Sequence, residues 1–262
     1  MKTALRLGAG LCFAAPVISQ GLVVDFESVA AGTTAESFTF NIGSTVVDVI
    51  RLGTNDPLSG NTSANGVVAG DDLGIFDSNF QGGPDNGNDE DLGTASFVGE
   101  LIEVDMFGST TVSNGPVDLS LGNILVGNEP NSNNAPDDDA GGSRFLFSFA
   151  PPANSITEII LIDTEDGGAS RSGGTVNAYS DIVSPTIVGS FTFDGEGANN
   201  SGRIISIEFG PGVSALEVIL EGSGAVGEIS FLEVPEPSTW AAIVGSVALG
   251  FTALRRYRAR RA

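Results

Sequence analysis

Oxygen-bearing side chains are concentrated in one segment between residues 77 and 91. Aspartates and asparagines are spaced there by glycines, at Asp77, Asn79, Asp85, Asn86, Asn88, Asp89 and Asp91. Calcium in proteins takes six to eight oxygen ligands, and glycine lets a backbone fold closely around an ion. The residue order is not that of an EF-hand, which requires Asp-x-Asp-x-Asp-Gly and a terminal glutamate. We therefore predict a calcium site whose ligands are Asp77, Asn79, Asp85, Asn88, Asp89 and Asp91; the alternative is a solvated acidic loop.

The sequence contains few other residues that could take part in catalysis or bind a metal. It has no histidine, and its single cysteine, Cys12, lies near the N-terminus. Histidine-dependent triads, thiolate zinc sites and haem ligation therefore find no residues in the remainder of the sequence. Paired carboxylates can hydrolyse glycosides, but with so many acidic residues some pair at a suitable spacing is expected by chance. We predict that the protein is not an enzyme, with a polysaccharide-degrading enzyme as the weakest alternative.

The N-terminus is arranged like a secretory signal peptide. Lys2 and Arg6 precede the apolar run Leu7–Ile18, and Val17-Ile18-Ser19 offers small residues for signal peptidase before Gln20. We assign residues 1–19 as a signal peptide and predict export. Lipidation at Cys12 is disfavoured because the preceding Leu11 is too large for a good lipobox.

The C-terminus consists of three distinct parts. Val234-Pro235-Glu236-Pro237-Ser238-Thr239 precedes the apolar run 240–254, and residues 255–262 contain five arginines. Proline biases its predecessor away from the α region, so the motif is expected to stay extended, and Ser238 or Thr239 can cap a following helix. Fifteen helical residues cover roughly 22 Å, less than a hydrocarbon core of about 30 Å. This length suits a transient membrane anchor, with the arginines on the cytoplasmic side.

This tail closely resembles the PEP-CTERM sorting signal of Gram-negative bacteria. The resemblance implies recognition of residues 234–239 by a membrane-embedded exosortase, transient insertion in the inner membrane, and transfer to the cell surface or extracellular matrix. The alternative is a permanent C-terminal membrane anchor.

The part between the two signals, residues 20–233, is strongly acidic. It contains four arginines against 32 acidic residues, which gives a formal charge of −28. Such a charge repels nucleic acids and anionic lipids, so no nucleic-acid partner is expected. It also favours bound divalent cations, which relieve repulsion between carboxylates. Asp137, Asp138 and Asp139 form a second, weaker calcium candidate because adjacent side chains point in different directions.

Short alternating runs between turn-rich segments predict an all-β fold. The clearest run is Arg144–Phe149, in which every second residue is phenylalanine. Twelve strands are predicted, at residues 22–27, 37–42, 46–51, 101–107, 117–121, 144–149, 156–163, 175–179, 187–193, 203–209, 215–220 and 227–232. That number predicts a single, jelly-roll-like β-sandwich, and a parallel β-helix is disfavoured because no fixed repeat appears.

Fold analogy suggests one further calcium site. Carbohydrate-binding jelly rolls often hold a structural calcium between an early glutamate and an acidic residue of the last strand, and Glu27 and Glu228 occupy comparable places. A carbohydrate-binding module is therefore an alternative function. Against it, sugars usually stack on Trp or Tyr, and residues 20–233 contain only Tyr179.

The body also resembles exosortase-dependent surface proteins of unassigned function. The resemblance is carried by Val24-Asp25-Phe26-Glu27, by Ile75-Phe76-Asp77 before the acidic loop, by Leu121-Gly122-Asn123-Ile124-Leu125, and by residues 222–226. Together, these features predict a structural or adhesive surface protein with calcium-stabilised loops and, as a candidate partner, extracellular polysaccharide.

Overall fold

The computed structural model describes residues 21–53, 58, 73–79, 92, 100–104, 110–114, 119, 121–128, 142–164, 173–193, 202–222, 224–233 and 237–259. Residues 20–234 form one compact unit that contains every described strand. The described part of the other unit is the helix α1 (Pro237–Ala259).

The strands form two sheets, so the predicted all-β, sandwich-like fold is confirmed. The described residues contain fifteen strands, in chain order: β1 (Gly21–Val24), β2 (Thr34–Ala35), β3 (Ser37–Ile42), β4 (Thr45–Arg51), β5 (Leu73–Asp77), β6 (Glu100–Val104), β7 (Thr110–Asn114), β8 (Asn123–Gly127), β9 (Ser143–Ala153), β10 (Ser155–Ile162), β11 (Gly174–Asp181), β12 (Thr186–Phe193), β13 (Gly202–Phe209), β14 (Val213–Leu220) and β15 (Ala225–Leu232).

In the part of the chain that the structure describes, sheet A contains nine strands and sheet B contains six. Sheet A has the order β2-β5-β8-β15-β10-β13-β6-β7, and β1 also pairs with β15. Sheet B has the order β12-β11-β14-β9-β4-β3, and all of its neighbours are antiparallel. In sheet A, β13 and β6 are parallel. The first and last strands of the domain are thus neighbours, with Val24 opposite Ile229.

The main core lies where the inward faces of both sheets meet, because alternate residues of each strand point the same way. Phe145, Phe147 and Phe149 of β9 all enter this core, as their spacing predicts. The bulge at Thr157 of β10 shifts the register by one residue, so both Ile156 and Ile159 reach the core.

Two smaller apolar clusters lie apart from the main core. On sheet A, Ile124, Val126, Ile160 and Ile162 pack with residues of the connecting segments, among them Leu92, Leu119 and Leu121. On sheet B, Ile50, Leu146, Tyr179 and Ala215 pack with Leu52, Leu58 and Ile182. Connecting segments therefore cover part of each sheet's second face.

Several predicted strand positions need correction. The strand predicted at residues 117–121 is wrong at Leu119 and Leu121, which lie outside any strand and pack in the smaller cluster on sheet A. Four of the described strands were not predicted: β2, β5, β7 and β8. In β8, Leu125 enters the main core while Ile124 and Val126 enter the smaller cluster. A strand buried on both faces does not alternate, so the period-two pattern missed it.

The C-terminal helix differs from its predicted bounds. It begins at Pro237 rather than Trp240 and ends at Ala259 rather than Leu254. Pro237, Ser238 and Thr239 are thus helical instead of extended; proline is well accommodated in a first helical turn, where its missing N–H has no partner to lose. No helix among the described residues combines the length and the apolar character needed to cross a membrane.

Candidate functional site

Two of the predicted calcium ligands lie at the same end of sheet A. Asp77 ends β5 and stands opposite Asn123, the first residue of β8. Glu27 follows β1, and its Oε1 accepts a hydrogen bond from the Asn123 backbone N–H at 2.8 Å. The Asn123 side chain in turn donates to the Val29 carbonyl at 2.8 Å. Asn123 therefore joins the segment after β1 to the end of β5, and places Glu27 beside the strand pair that carries Asp77.

Gly122 makes the close approach of Glu27 feasible. Its φ of +71° lies in the left-handed region, where glycine is favoured. A Cβ at this position would collide with Glu27 Oε1. The Gly122 carbonyl also accepts hydrogen bonds from the Ser78 N–H at 2.8 Å and the Ser78 hydroxyl at 2.7 Å. This turn thus fixes both the Glu27 carboxylate and the chain directly after Asp77.

The predicted calcium loop is described only at its start. Asp77 Oδ1 accepts a hydrogen bond from the Asn79 N–H at 3.0 Å, which turns the chain away from β5. The other predicted ligands, Asp85, Asn88, Asp89 and Asp91, lie outside the described residues, as do Asp137, Asp138 and Asp139. Within the described part of the chain, no three acidic, histidine or cysteine side chains are grouped so as to hold a metal.

Glu228 has different neighbours from those expected. Because Val24 stands opposite Ile229, the residue of the first strand region nearest to Glu228 in register is Asp25, not Glu27. Burial raises the pKa of the Glu228 carboxyl, and the negative charges of Asp25 and Glu158 raise it further. Val24 and Phe26 are buried whereas Val23 and Asp25 are exposed, so Asp25 points away from the core. Glu228 thus lies among carboxylates that repel it.

We expect Glu228→Gln to stabilise the domain at neutral pH. A raised folded-state pKa means that the unfolded state releases the proton first, so stability falls as pH rises through the interval above 4.5. The substitution removes this loss of stability, which is roughly 0.2–1 kcal/mol for like charges on neighbouring strands. Thermal unfolding at pH 7 and below pH 4 measures the effect, which should vanish at the lower pH. An equal gain from the exposed Glu36→Gln would attribute the effect to net charge instead.

A buried carboxylate that sequence reasoning missed lies on sheet B. Glu217 of β14 is 2 % exposed. Its Oε1 accepts from Arg144 Nε at 2.6 Å, and its Oε2 accepts from Tyr179 Oη at 2.7 Å and from Asn177 Nδ2 at 2.9 Å. We call Glu217, Arg144, Asn177 and Tyr179 the Glu217 network. Three strands, β9, β14 and β11, are joined by it.

The Glu217 network also reaches the chain after β4 and the neighbouring strand β12. Arg144 Nη1 donates to the Gly53 carbonyl at 3.1 Å, which ties the chain after β4 to the network. The Ser190 hydroxyl of β12 donates to Asn177 Oδ1 at 2.7 Å. Burial raises the pKa of Tyr179 strongly, and its hydrogen bond to the Glu217 carboxylate adds to this. Both carboxylate oxygens are occupied by protein donors, so this arrangement suits a structural role.

Tyr179 is consequently unsuited to stacking on a sugar. Its side chain is buried in the apolar cluster of sheet B, and its hydroxyl is directed to Glu217. The one Tyr or Trp that the sequence offered to a carbohydrate ligand is thus part of the packing of the fold.

A second buried charge, Arg51, connects the two sheets. Arg51 ends β4 in sheet B and is 5 % exposed. It donates to the carbonyl of Asn128, which follows β8 of sheet A, at 3.0 Å, and to the carbonyl of Gly142, which precedes β9, at 3.5 Å. These two carbonyls are the ends of the acidic segment 129–141. Arg51 therefore holds both ends of that segment.

The end of the domain is fixed immediately before the predicted sorting motif. Glu233 Oε1 accepts hydrogen bonds from the Ser44 N–H at 2.7 Å and from the Ser44 hydroxyl, in the turn between β3 and β4. Val234, Pro235 and Glu236 lie outside the described residues, and Pro237, Ser238 and Thr239 begin α1. The last turn of α1 carries Arg256 and Arg258.

Comparison of the chain with protein families found no family that matches it, and a search of curated proteins found no match either.

Proposed function

We propose that this is an exported, exosortase-processed surface or matrix protein with a structural or adhesive, non-catalytic role. The observation that carries the proposal is the arrangement at the C-terminus. The last strand ends at Leu232, Glu233 is bonded to the β3–β4 turn, and a helix with basic residues in its last turn begins four residues later. A cleavage motif at this place lies directly beside a firmly held domain end, so processing would release the domain intact.

The apolar part of α1 supports a transient contact with the inner membrane. Large apolar side chains on it, among them Val247, Leu249, Phe251 and Leu254, are exposed. Exposed apolar side chains followed by arginines suit a segment that enters a lipid interface while its basic end stays on the cytoplasmic side. Signal peptidase and exosortase would be the two processing partners.

The polar contacts of the domain support the non-catalytic role. Glu217, Arg144 and Arg51 are each engaged by neighbouring strands or by the ends of connecting segments. These contacts join neighbouring strands and connecting segments, as a structural role requires. The carbohydrate-binding alternative loses its stacking residue, because Tyr179 is buried. A sugar site bridged by calcium would not need such a stacking residue.

The sorting proposal predicts that Pro235→Ala with Pro237→Ala leaves the chain in the inner membrane with its tail intact. Cells with and without the exosortase are fractionated, and mass spectrometry of the C-terminal peptide shows whether cleavage has occurred. Deleting the exosortase should have the same effect on the unaltered chain. Pro185→Ala, in the turn before β12, serves as the matched control and should be processed normally. Normal cleavage of the double variant would refute the sorting motif and leave a plain membrane anchor.

The calcium part of the proposal predicts a rise in the melting temperature with added calcium. Extracellular calcium modules bind with Kd of about 0.1–1 mM, so 10 mM calcium adds roughly 1.4–2.7 kcal/mol of stability. For a domain of this size that corresponds to about 3–10 °C relative to a chelator. Asp77→Asn should reduce the gain, whereas Glu36→Gln should not. An unchanged melting temperature would refute calcium as a stabiliser.

A further inference from the structure

Among the described strands, β3 and β12 form the two edges of sheet B, and they share a property that the interior strands lack. Neither β3 nor β12 contains a charged residue, whereas each of the four interior strands carries at least one: Asp48 and Arg51 in β4, Arg144 in β9, Asp181 in β11 and Glu217 in β14. Proteins usually place charges on edge strands to prevent pairing with other chains. Here the distribution is reversed, in a domain of formal charge −28. The two edges are therefore where copies can approach without opposing carboxylates on the paired strands.

The edge β12 also adjoins exposed apolar side chains. Val183, Ile187 and Val188 are 74 %, 56 % and 40 % exposed, in the hairpin formed by β11 and β12. The register shift at Val188 leaves residues 189–193 as the regular part of the edge. This part is five residues long and ends in a buried phenylalanine, Phe193.

The two edge strands match in sequence and in which of their side chains point toward the core. Both contain Ser-Phe-Thr-Phe, at residues 37–40 and 190–193. In β3, Phe38 and Phe40 enter the main core while Thr39 is exposed; in β12, Phe193 enters the core, Phe191 packs against it and Thr192 is exposed. Antiparallel pairing brings residues of the same face together. The match pairs Phe38 with Phe193, Thr39 with Thr192, Phe40 with Phe191, Asn41 with Ser190, and Ile42 with Gly189.

The strand order allows this pairing between translated copies. Six strands that are antiparallel throughout leave β3 and β12 running in opposite directions. A second copy placed beside the first in the same orientation therefore presents its β12 antiparallel to β3. We propose that β3 of one copy pairs with β12 of the next, so that sheet B continues from molecule to molecule.

Head-to-tail pairing fits better than a two-fold dimer for two reasons. It covers both uncharged edges, whereas two-fold pairing covers one and leaves the other open. Two-fold pairing through β3 would also bring two copies of Asp48 near each other, since Thr39 donates to Asp48 Oδ1 at 2.6 Å. The outward neighbours of Thr192 and Ser190 are Thr175 and Asn177, which carry no charge.

Disulfide trapping in the full chain tests this pairing. All variants carry Cys12→Ser, so that only introduced thiols react. Directly opposed residues of an antiparallel pair have Cα atoms about 4.5–5.5 Å apart, within the range of a disulfide. A mixture of Thr39→Cys and Thr192→Cys chains should give a disulfide-linked dimer on mild oxidation, and a chain with both substitutions should give a ladder of higher multimers.

The controls separate this pairing from its alternatives. Neither single-cysteine chain should dimerise alone, and a mixture of Thr39→Cys with Thr111→Cys, exposed on the edge strand β7 of sheet A, should give no dimer. Thermal unfolding checks that each variant is folded. The proposal is overturned if folded Thr39→Cys and Thr192→Cys chains do not cross-link, or if Thr111→Cys cross-links equally well. It is also overturned if Thr192→Cys dimerises alone, because that indicates a two-fold contact. The test is independent of sorting and of calcium.

Discussion

Glu217→Ala is expected to destabilise the domain by about 3–5 kcal/mol, which is the usual cost of removing one partner of a buried ion pair. The substitution leaves the guanidinium of Arg144, 16 % exposed, without its carboxylate. It also leaves the Tyr179 hydroxyl and the Asn177 amide without their acceptor. Three adjacent strands of sheet B lose a shared contact. Denaturant unfolding of the purified protein measures the loss as a lower midpoint.

Matched variants separate the charge from the individual hydrogen bonds. Tyr179→Phe removes one donor and keeps the ring, so it should cost about 1 kcal/mol. Glu36→Ala, at an exposed position, should change stability by less than about 0.5 kcal/mol. If Glu217→Ala costs no more than Glu36→Ala, the Glu217 network contributes nothing to stability.

The Glu217 network also makes the domain sensitive to alkaline pH. The pKa of Tyr179 is raised in the folded state by burial and by the Glu217 carboxylate. The unfolded phenol therefore ionises first, near pH 10, and stability falls as pH rises further. This contribution is complete below pH 10 and is absent in Tyr179→Phe.

The burial of Glu217 shows a limit of strand periodicity. The alternation around it, with core residues Leu216 and Val218 on either side, correctly indicates that Glu217 points away from the main core. A side chain that points away from the core on a strand is usually exposed to solvent. In this fold the face that carries Glu217 also carries a cluster in which Leu58 and Ile182 pack from connecting segments. The alternation of residues along a strand does not indicate which connecting segment will cover the outer face of the sheet.

Two of the missed strands, β5 and β8, differ from the correctly predicted strand β9 in how many of their faces are buried. β9 has one face in the main core, so its phenylalanines alternate and its position follows from the sequence. β5 and β8 are buried on both faces, and β5 sends Ile75 to the main core and Phe76 to the smaller cluster. A short, continuously apolar run of this kind does not identify a strand by its period.

The predicted calcium ligands illustrate what fold analogy can supply. Pairing of the first and last strands was expected and is present. The analogy nevertheless paired Glu228 with Glu27, whereas the register places Asp25 nearest to Glu228. The chain turns after Phe26, and the Glu27 carboxylate goes to Asn123 instead. One residue of offset decides which carboxylates meet, and only the register fixes that offset.

Arg51→Met is expected to destabilise the domain by about 2–4 kcal/mol, because each hydrogen bond from a charged group contributes roughly 1.5–3 kcal/mol. Methionine keeps much of the apolar stem but cannot donate to the carbonyls of Asn128 and Gly142. Those carbonyls are the two ends of segment 129–141, so amide hydrogen exchange there should accelerate more than exchange in the distant strand β11.

Val46→Met introduces the same side chain at a half-buried position of β4 and should leave exchange in segment 129–141 unchanged. If both variants accelerate exchange equally, the effect comes from disturbing β4, and Arg51 does not hold the acidic segment. An acceleration confined to Arg51→Met would mean that one of only four basic residues of the domain holds the two ends of its acidic segment.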